Sequence, residues 1–245
     1  MEFEVKGRDL YATGEIRDGD YEKLLAFFRG QPPKVFVDTG FFDLNSPGGS
    51  VTEALKLAQF ISGTFRMTRV GPQEKCMSSC FFLFVSGGFR FQQDGGVVGI
   101  HRPYMERAKF AALSQTDAVR VYDMIDTSTR RFLASMRVPD VLVNKMFATS
   151  SEDIYILSDD ELDHQIGFWQ PWWQEMASSA CSKDLSKRLE CMHERNSLDR
   201  LDEITKFLGT NYSDTYRQEI TNLTIQVMSK VFKTSKGPLP AKSAN

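Results

Sequence analysis

The chain has 245 residues and a mass of 27.9 kDa, with 41% hydrophobic and 25% charged residues, which are ordinary globular values. This composition excludes disordered, collagen-like and coiled-coil descriptions of the whole chain. Its 30 basic and 32 acidic residues leave a net charge of −2, which argues against a nucleic-acid partner. No apolar run approaches the roughly 20 residues of a membrane span, so we expect no transmembrane segment.

Predicted strands and helices alternate along the first two thirds of the chain. A short amphipathic helix is predicted from Tyr21 to Phe28, ended by Gly30 and the two prolines after it. The pattern then predicts strands at Val35–Val37, Phe41–Leu44, Met67–Val70 and Val97–Ile100, helices at 51–61, 79–85 and 115–147, and a strand–helix unit over Ile154–Phe168. Such alternation favours an α/β domain with mostly parallel strand pairing.

Beyond Trp173 the sequence becomes charge-rich, and residues 181–233 carry apolar side chains at helical spacing. We expect two or three amphipathic helices, docked on the domain or on a neighbouring subunit. Residues 236–245 contain two prolines and small polar residues, which predicts a disordered tail. The predicted organisation is a domain over 1–173, a helical extension over 174–235 and a tail over 236–245.

The four cysteines form two close pairs in the sequence, Cys76 with Cys80 and Cys181 with Cys191. Such pairs fit disulfides in an oxidising compartment, and they also fit free buried thiols. The first residues, Met-Glu-Phe-Glu-Val, show no signal peptide. A periplasmic or otherwise exported protein would therefore require a leader that has been removed; without one, a cytoplasmic location is expected.

A glycine-rich turn at Asn45–Ser50 lies between a predicted strand and a predicted helix. Its proline and two glycines allow backbone conformations closed to other residues. Backbone N–H groups in such a turn are free to face an anion or a developing oxyanion. The same residues also fit a plain strand-to-helix turn with Ser50 as the N-cap.

A serine and a histidine have the sequence context of a nucleophile and its base. Ser78 lies in Cys-Met-Ser-Ser-Cys, before an apolar helix, where a turn can hold a hydroxyl exposed. An N-cap role would explain a serine there equally well. His101 ends an apolar strand, whereas His164 and His193 lie in charged segments. Histidine is the usual base for a serine nucleophile.

Taken together, the Asn-Ser-Pro-Gly-Gly turn, the serine about 30 residues later and a His-x-Pro 23 residues after that serine resemble the Clp-type serine peptidases. The resemblance covers roughly residues 10–170, and the cysteine-flanked serine looks most like a poorly characterised Clp-like group often described as periplasmic. It implies a Clp/crotonase-like fold, a spiral of ββα units within the α/β class. It also implies a homo-oligomer, with the C-terminal helices outside the match.

The same resemblance implies a role for each motif residue. Ser78 matches the nucleophile and His101 the general base of a serine peptidase acting on peptides or proteins. Gly49 and Ser79 match the two residues whose amides form the oxyanion hole. Because Ser79 directly follows Ser78, which serine attacks is left to experiment.

The acid of the triad is expected on the segment before the last predicted strand. Asp153 is the nearest match, one residue out of register with the family, and Glu152 is the fallback. No cofactor and no metal are implied. The sequence contains no ATPase motif, so any unfoldase partner would be a separate chain.

Three other interpretations stay open at this stage. The chain could be an inactive Clp-like scaffold that binds a partner through its C-terminal helices. A Ser–Lys dyad using Lys75 or Lys145 would make His101 dispensable. Acyl-thioester chemistry of the crotonase type is also known on this fold, although no acyl-CoA signature is visible in the sequence.

Overall fold

The computed structural model describes residues 1–105, 110–170, 200–219, 221 and 222, and the single positions 175, 179, 181 and 191. The strands are β1 (Glu2–Lys6), β2 (Asp9–Thr13), β3 (Phe41–Asn45), β4 (Met67–Val70), β5 (Lys75–Met77), β6 (Arg90–Gln92), β7 (Val97–Ile100) and β8 (Tyr155–Ile156). The helices are α1 (Asp20–Arg29), α2 (Pro33–Asp38), α3 (Val51–Gly63), α4 (Cys80–Ser86), α5 (Gln115–Ser135), α6 (Asp140–Ala148), a π-helix (Glu161–Ile166), α7 (200–208) and α8 (210–219). Within these ranges no helix is both long enough and apolar enough to cross a membrane.

The strands form two sheets. One has five strands in the order β1-β2-β3-β4-β6, and all of its pairs except the outer β1–β2 pair are parallel. The other has the order β5-β7-β8, with β5 and β7 parallel. Helices provide the long connections that parallel pairing needs. The α/β class predicted from the sequence is therefore confirmed.

Helix α4 lies in the middle of the core. All seven of its residues are buried, as expected for a helix whose sequence, Cys-Phe-Phe-Leu-Phe-Val-Ser, is apolar on every face. It packs against α3 and β4. Because Ser78 and Ser79 directly precede α4, this buried helix fixes the position of both serines.

Residues 200–219 pack against the domain of their own chain. The ring of Phe207 lies 5.3 Å from that of Phe60 on α3, and the Tyr212 ring lies 6.3 Å from that of Phe36. The Tyr212 hydroxyl also donates to the carbonyl of Gln31, at 2.7 Å. These helices thus extend the aromatic core. Most of the predicted extension before residue 200, its end beyond residue 222 and the predicted tail over 236–245 lie outside the described residues.

Two predictions of secondary structure are wrong. Val35–Val37 belongs to helix α2, which begins with Pro33 at its first position, where the fixed proline φ favours a helix. The single helix predicted over 115–147 is divided into α5 and α6. Arg137 has a φ of +56° at the break, and Pro139 disfavours helical geometry in the residue before it.

Candidate active site

Ser78 occupies a sharp turn between strand β5 and helix α4. Its φ of +57° lies in the left-handed region that residues other than glycine rarely adopt. Two backbone bonds hold the turn: the Ser78 amide donates to the carbonyl of Gly99 at 2.9 Å, and the Met77 amide donates to that of Ser46. A strained serine fixed in this way presents its hydroxyl away from the strand, as at the nucleophile of other serine hydrolases.

His101 directly follows β7 and meets Ser78. Strands β5 and β7 are parallel neighbours, and Met77 is opposite Gly99 in their register. Their carboxyl ends therefore lie side by side, which brings Nε2 of His101 to 2.6 Å from Oγ of Ser78. With the proton on Nδ1, Nε2 accepts the serine hydroxyl hydrogen, as a general base requires.

Burial controls the protonation of His101. The residue is only 6% exposed, and this desolvation lowers the pKa of the ring below the usual 6.5, while the backbone of Ser151 acts in the raising direction. No described atom forms a hydrogen bond of regular geometry with Nδ1, so the Ser151 backbone is only a weak acceptor for its proton. Near neutral pH the ring is therefore uncharged and able to take a proton.

The structure does not place the expected acid on His101. Asp153 and Glu152 are exposed, and neither carboxylate bonds to Nδ1. Both belong to the segment that brings Ser151 to the histidine, so the expected segment is adjacent although neither carboxylate bonds to the ring. The assignment of Asp153 as the acid stays a prediction.

The glycine-rich turn packs directly against the nucleophile. Gly48 has a φ of +94°, and a Cβ at this position would lie 2.6 Å from that of Ser78. Gly49 has a φ of +144°, and a Cβ there would collide with the Ile16 carbonyl. Only glycine fits at either position, because both the backbone conformation and the space exclude a side chain.

The amides of Gly49 and Ser79 are available to an oxyanion. The Gly48 carbonyl and the Ser50 amide both bond to Ile16, so the amide and carbonyl of Gly49 point to the opposite side, where its carbonyl accepts from Ser79. The Ser79 amide lies at the start of helix α4, where the helix dipole favours negative charge. Neither amide donates a hydrogen bond to any other described residue.

The two adjacent serines are not equivalent. Ser79 is 2% exposed and its hydroxyl donates to the carbonyl of Gly49 at 3.1 Å. Ser78 is partly exposed, and its hydroxyl meets His101. The geometry therefore favours Ser78 as the nucleophile.

Cysteines flank the nucleophile on both sides. The sulfur atoms of Cys76 and Cys80 lie 2.03 Å apart, a bonded distance, and both residues are fully buried. This bridge ties the strand before Ser78 to the first turn of the helix after it. Cys181 and Cys191 also lie at bonded distance, 2.06 Å.

Neither candidate lysine contacts the nucleophile. Lys145 donates to Glu161 at 2.6 Å and to the Tyr155 hydroxyl at 2.8 Å, and the Glu161 carboxylate raises the pKa of Lys145. A lysine held in its charged form is a poor base. Lys75 is exposed on β5, while the Ser78 hydroxyl bonds to His101. The site therefore favours histidine over a Ser–Lys dyad.

A cleft of about 630 Å³ opens over Ser78 and His101. Its described lining includes an apolar wall, formed by Val121, Met124, Ile125 and Ile154. The lining also includes the glycine turn and two acidic residues, Glu15 and Asp18. This volume falls in the range of sites that enclose a ligand.

Sequence patterns did not indicate several of these residues. Glu15, Asp18 and Tyr104 reach the cleft from loops that carry no motif, and Ser151 acts through its backbone. Gly48 could have been found, because it precedes the glycine carried over from the family. In the described ranges, no group of three or more histidine, cysteine, aspartate or glutamate side chains is arranged to hold a metal ion.

Comparisons with known proteins give similarity only in structure. No protein-family model matches the chain, and no curated protein matches it either. Among solved structures, the chain is similar to a point mutant of ClpP1 from Listeria monocytogenes, with 17% sequence identity and a TM-score of 0.43. The match covers 66% of this chain and 89% of that one. At this level of similarity, the function has to be argued from the site itself.

Proposed function

We propose that the protein is a Clp-type serine peptidase that hydrolyses peptide bonds through Ser78 and His101. The observation that carries this proposal is the 2.6 Å contact between Nε2 of His101 and Oγ of a serine held at a φ of +57°. The nucleophile, its neutral base and Gly49 line one cleft, and the Ser79 amide directly follows the nucleophile. Acyl transfer uses this combination of groups.

The chemistry follows from the positions of these groups. His101 takes the hydroxyl proton as Oγ of Ser78 attacks the scissile carbonyl, and the amides of Gly49 and Ser79 stabilise the oxyanion of the tetrahedral intermediate. The protonated histidine then gives its proton to the leaving amine, which leaves an acyl-enzyme. Water, deprotonated by the same histidine, releases the acyl product and restores Ser78.

A fluorophosphonate probe tests the reacting pair without knowledge of the substrate. We expect one adduct, mapped to Ser78 by mass spectrometry, which is lost in Ser78→Ala and strongly reduced in His101→Ala. His164→Ala is the matched control, since that side chain is 78% exposed on the π-helix. Folded protein that takes up no probe would contradict the proposal.

An inactive Clp-like scaffold is the second candidate. It is favoured by Nδ1 of His101, which lacks the carboxylate partner of a complete triad. It is disfavoured by the contact between His101 and Ser78, which is within hydrogen-bond reach. Failure of the probe to label Ser78 would support the scaffold.

We also propose that the protein assembles as a homo-oligomer. Large apolar side chains are exposed around the first half of α5, namely Tyr104, Phe110, Val119, Tyr122 and Met124. Several exposed large apolar side chains in one region are typical of a contact with another protein. Sedimentation of the wild type against Val119→Glu tests the proposal, and a wild type that sediments as a monomer would contradict it.

A further inference from the structure

A second groove continues the cleft of Ser78. It encloses about 950 Å³ between helices α3, α5 and α7. Four residues line both the cleft and the groove: Val51, Thr52, Met124 and Ile125. The two spaces therefore adjoin at the start of α3, and together they make up a depression that extends from the glycine turn.

The groove follows α3 from its first residue to its last. Its α3 lining is Val51, Thr52, Leu55, Lys56, Gln59, Ser62 and Gly63, and its α5 lining is Met124, Ile125, Ser128, Arg131, Phe132, Ser135 and Met136. In both helices this spacing defines a single face. A helix of 13 residues is about 20 Å long, which equals about six residues of extended chain. A polypeptide with its scissile bond at Ser78 can thus continue along the whole groove.

The groove is apolar at its base and basic at its rim. Leu55, Phe132, Met136 and Phe207 supply apolar surface to its lining. The charged side chains in its described lining are four cations and one carboxylate, namely Lys56, Arg131, Arg200, Lys206 and Glu203. The cleft at Ser78 instead carries Glu15 and Asp18. The sign of the charge thus reverses between the two ends of the depression.

Arg131 is the cation most available to a ligand. Lys56 and Lys206 lie 3.5 Å and 3.7 Å from neighbouring carboxylates, and Arg200 donates to the Gly63 carbonyl. Arg131 is exposed and forms no ion pair with any described residue. An acidic side chain reaching this part of the groove would be paired without displacing an existing bond.

We propose that this groove binds the distal part of an extended polypeptide substrate, a segment rich in acidic and apolar residues. The proposal rests on the peptidase function, because it makes the groove a continuation of the cleft. Apolar side chains of the substrate lie on the base of the groove, and its carboxylates face Arg131 and the other cations. Charge complementarity of this kind acts on specificity more than on total affinity.

The test measures binding in the Ser78→Ala protein by fluorescence anisotropy, so that no turnover is needed. The peptides are labelled with fluorescein and have about fourteen residues, which is long enough to reach from the cleft along α3. All share the same central sequence. Each carries one distal block, Leu-Asp-Glu, Leu-Ser-Ser or Leu-Lys-Lys, either upstream or downstream of that centre. We expect the acidic peptide, in one orientation, to bind about tenfold more tightly than the lysine peptide, with a preference that weakens in high salt.

Arg131→Glu, added to Ser78→Ala, should abolish that preference. Arg120→Glu is the matched control, because it makes the same charge change on α5 at a side chain that is 75% exposed and outside the groove. Equal binding of all peptides, or an unchanged preference in Arg131→Glu, would overturn the proposal. The proposal would also be overturned if peptide binding were lost as protein concentration rises, because that loss would show that a second copy of the chain occupies the groove.

Fluorophosphonate labelling of the wild type separates this result from the proposed function. Labelled Ser78 with no peptide preference overturns the groove proposal alone. If the protein prefers the acidic peptide but Ser78 is not labelled, the proposed peptidase function is overturned. The assignment of the groove to a substrate is then overturned with it.

Discussion

The hydroxyl of Ser79 donates to the carbonyl of Gly49, and this bond joins the glycine turn to the residue that directly follows Ser78. As a consequence, the two adjacent serines have different roles. In the proposed mechanism Ser78 reacts, and Ser79 holds together the two segments proposed to bind the oxyanion. The bond also explains why a hydroxyl is useful directly after the nucleophile.

Replacement of each serine tests these roles. We expect Ser78→Ala to abolish fluorophosphonate labelling with the fold intact. Ser79→Ala should keep the adduct on Ser78 and lower its rate about fivefold, since one hydrogen bond contributes about 1 kcal/mol. An adduct on Ser79 in the Ser78→Ala protein, seen by peptide mapping, would contradict the assignment.

The labelling rate should rise with pH around a midpoint below 6.5. Burial lowers the pKa of His101, so the ring loses its proton at a lower pH than a free histidine does. The stability contributed by the neutral ring should likewise be complete above pH 6.5 and lost as pH falls through the lowered pKa. Labelling rates and denaturant midpoints measured from pH 4.5 to 8.5 check both expectations, and His164→Ala should leave the labelling profile unchanged.

The same profile reports on the missing acid. A carboxylate hydrogen-bonded to Nδ1 favours the charged ring and raises the histidine pKa. A midpoint above 6.5 would therefore mean that an acid reaches His101 in the working enzyme.

Asp153→Asn should reduce labelling by less than about tenfold, because the carboxylate makes no bond to His101. Removal of an orienting aspartate from a complete triad lowers kcat by about 10⁴. Glu152→Gln tests the fallback acid on the same segment by the same measurement. A loss of about 10⁴ in Asp153→Asn alone would assign Asp153 as the acid.

The bridge between Cys76 and Cys80 should resist reduction while the protein is folded, because both residues are fully buried. We expect thiol titration to find these cysteines reactive only with denaturant and reductant together. The Cys76→Ala/Cys80→Ala protein should lose about 2 kcal/mol of unfolding free energy and label more slowly, since the turn of Ser78 loses its covalent tie. Cys181→Ala/Cys191→Ala is the control, and equal labelling rates in the two double variants would argue against a positioning role.

The sequence predicted the parts of the site that depend on motif and strand order. Ser78 and His101 are 23 residues apart, yet each follows one of two neighbouring parallel strands, so their meeting follows from the topology. The glycine turn was also predictable, because the backbone conformations of Gly48 and Gly49 exclude other residues. Strand β5, with only three residues, was too short for its pattern to show.

Tertiary packing decided the rest. Val35 and Val37 favour strands by propensity, but Pro33 starts a helix there, and Phe36 anchors it in the aromatic core. The orientation of Asp153 depends on how a loop ends beside the histidine, which periodicity does not encode. Helical spacing predicted apolar helix faces over 181–233. The surface against which these faces pack could not be predicted, because it depends on the tertiary structure.

The bonds of Tyr212 bear on where this protein can be divided. Its hydroxyl lies within hydrogen-bond reach of the carbonyls of Phe28 and Gln31 at the end of α1, and the Phe207 ring packs against that of Phe60 on α3. A fragment ending at residue 173 would leave these surfaces open to water and prone to aggregate. Helix α3, against which Phe207 packs, also contributes its first residues to the wall of the cleft. Substitutions in residues 200–219, more than 120 positions after Ser78, can therefore change the cleft through this shared core.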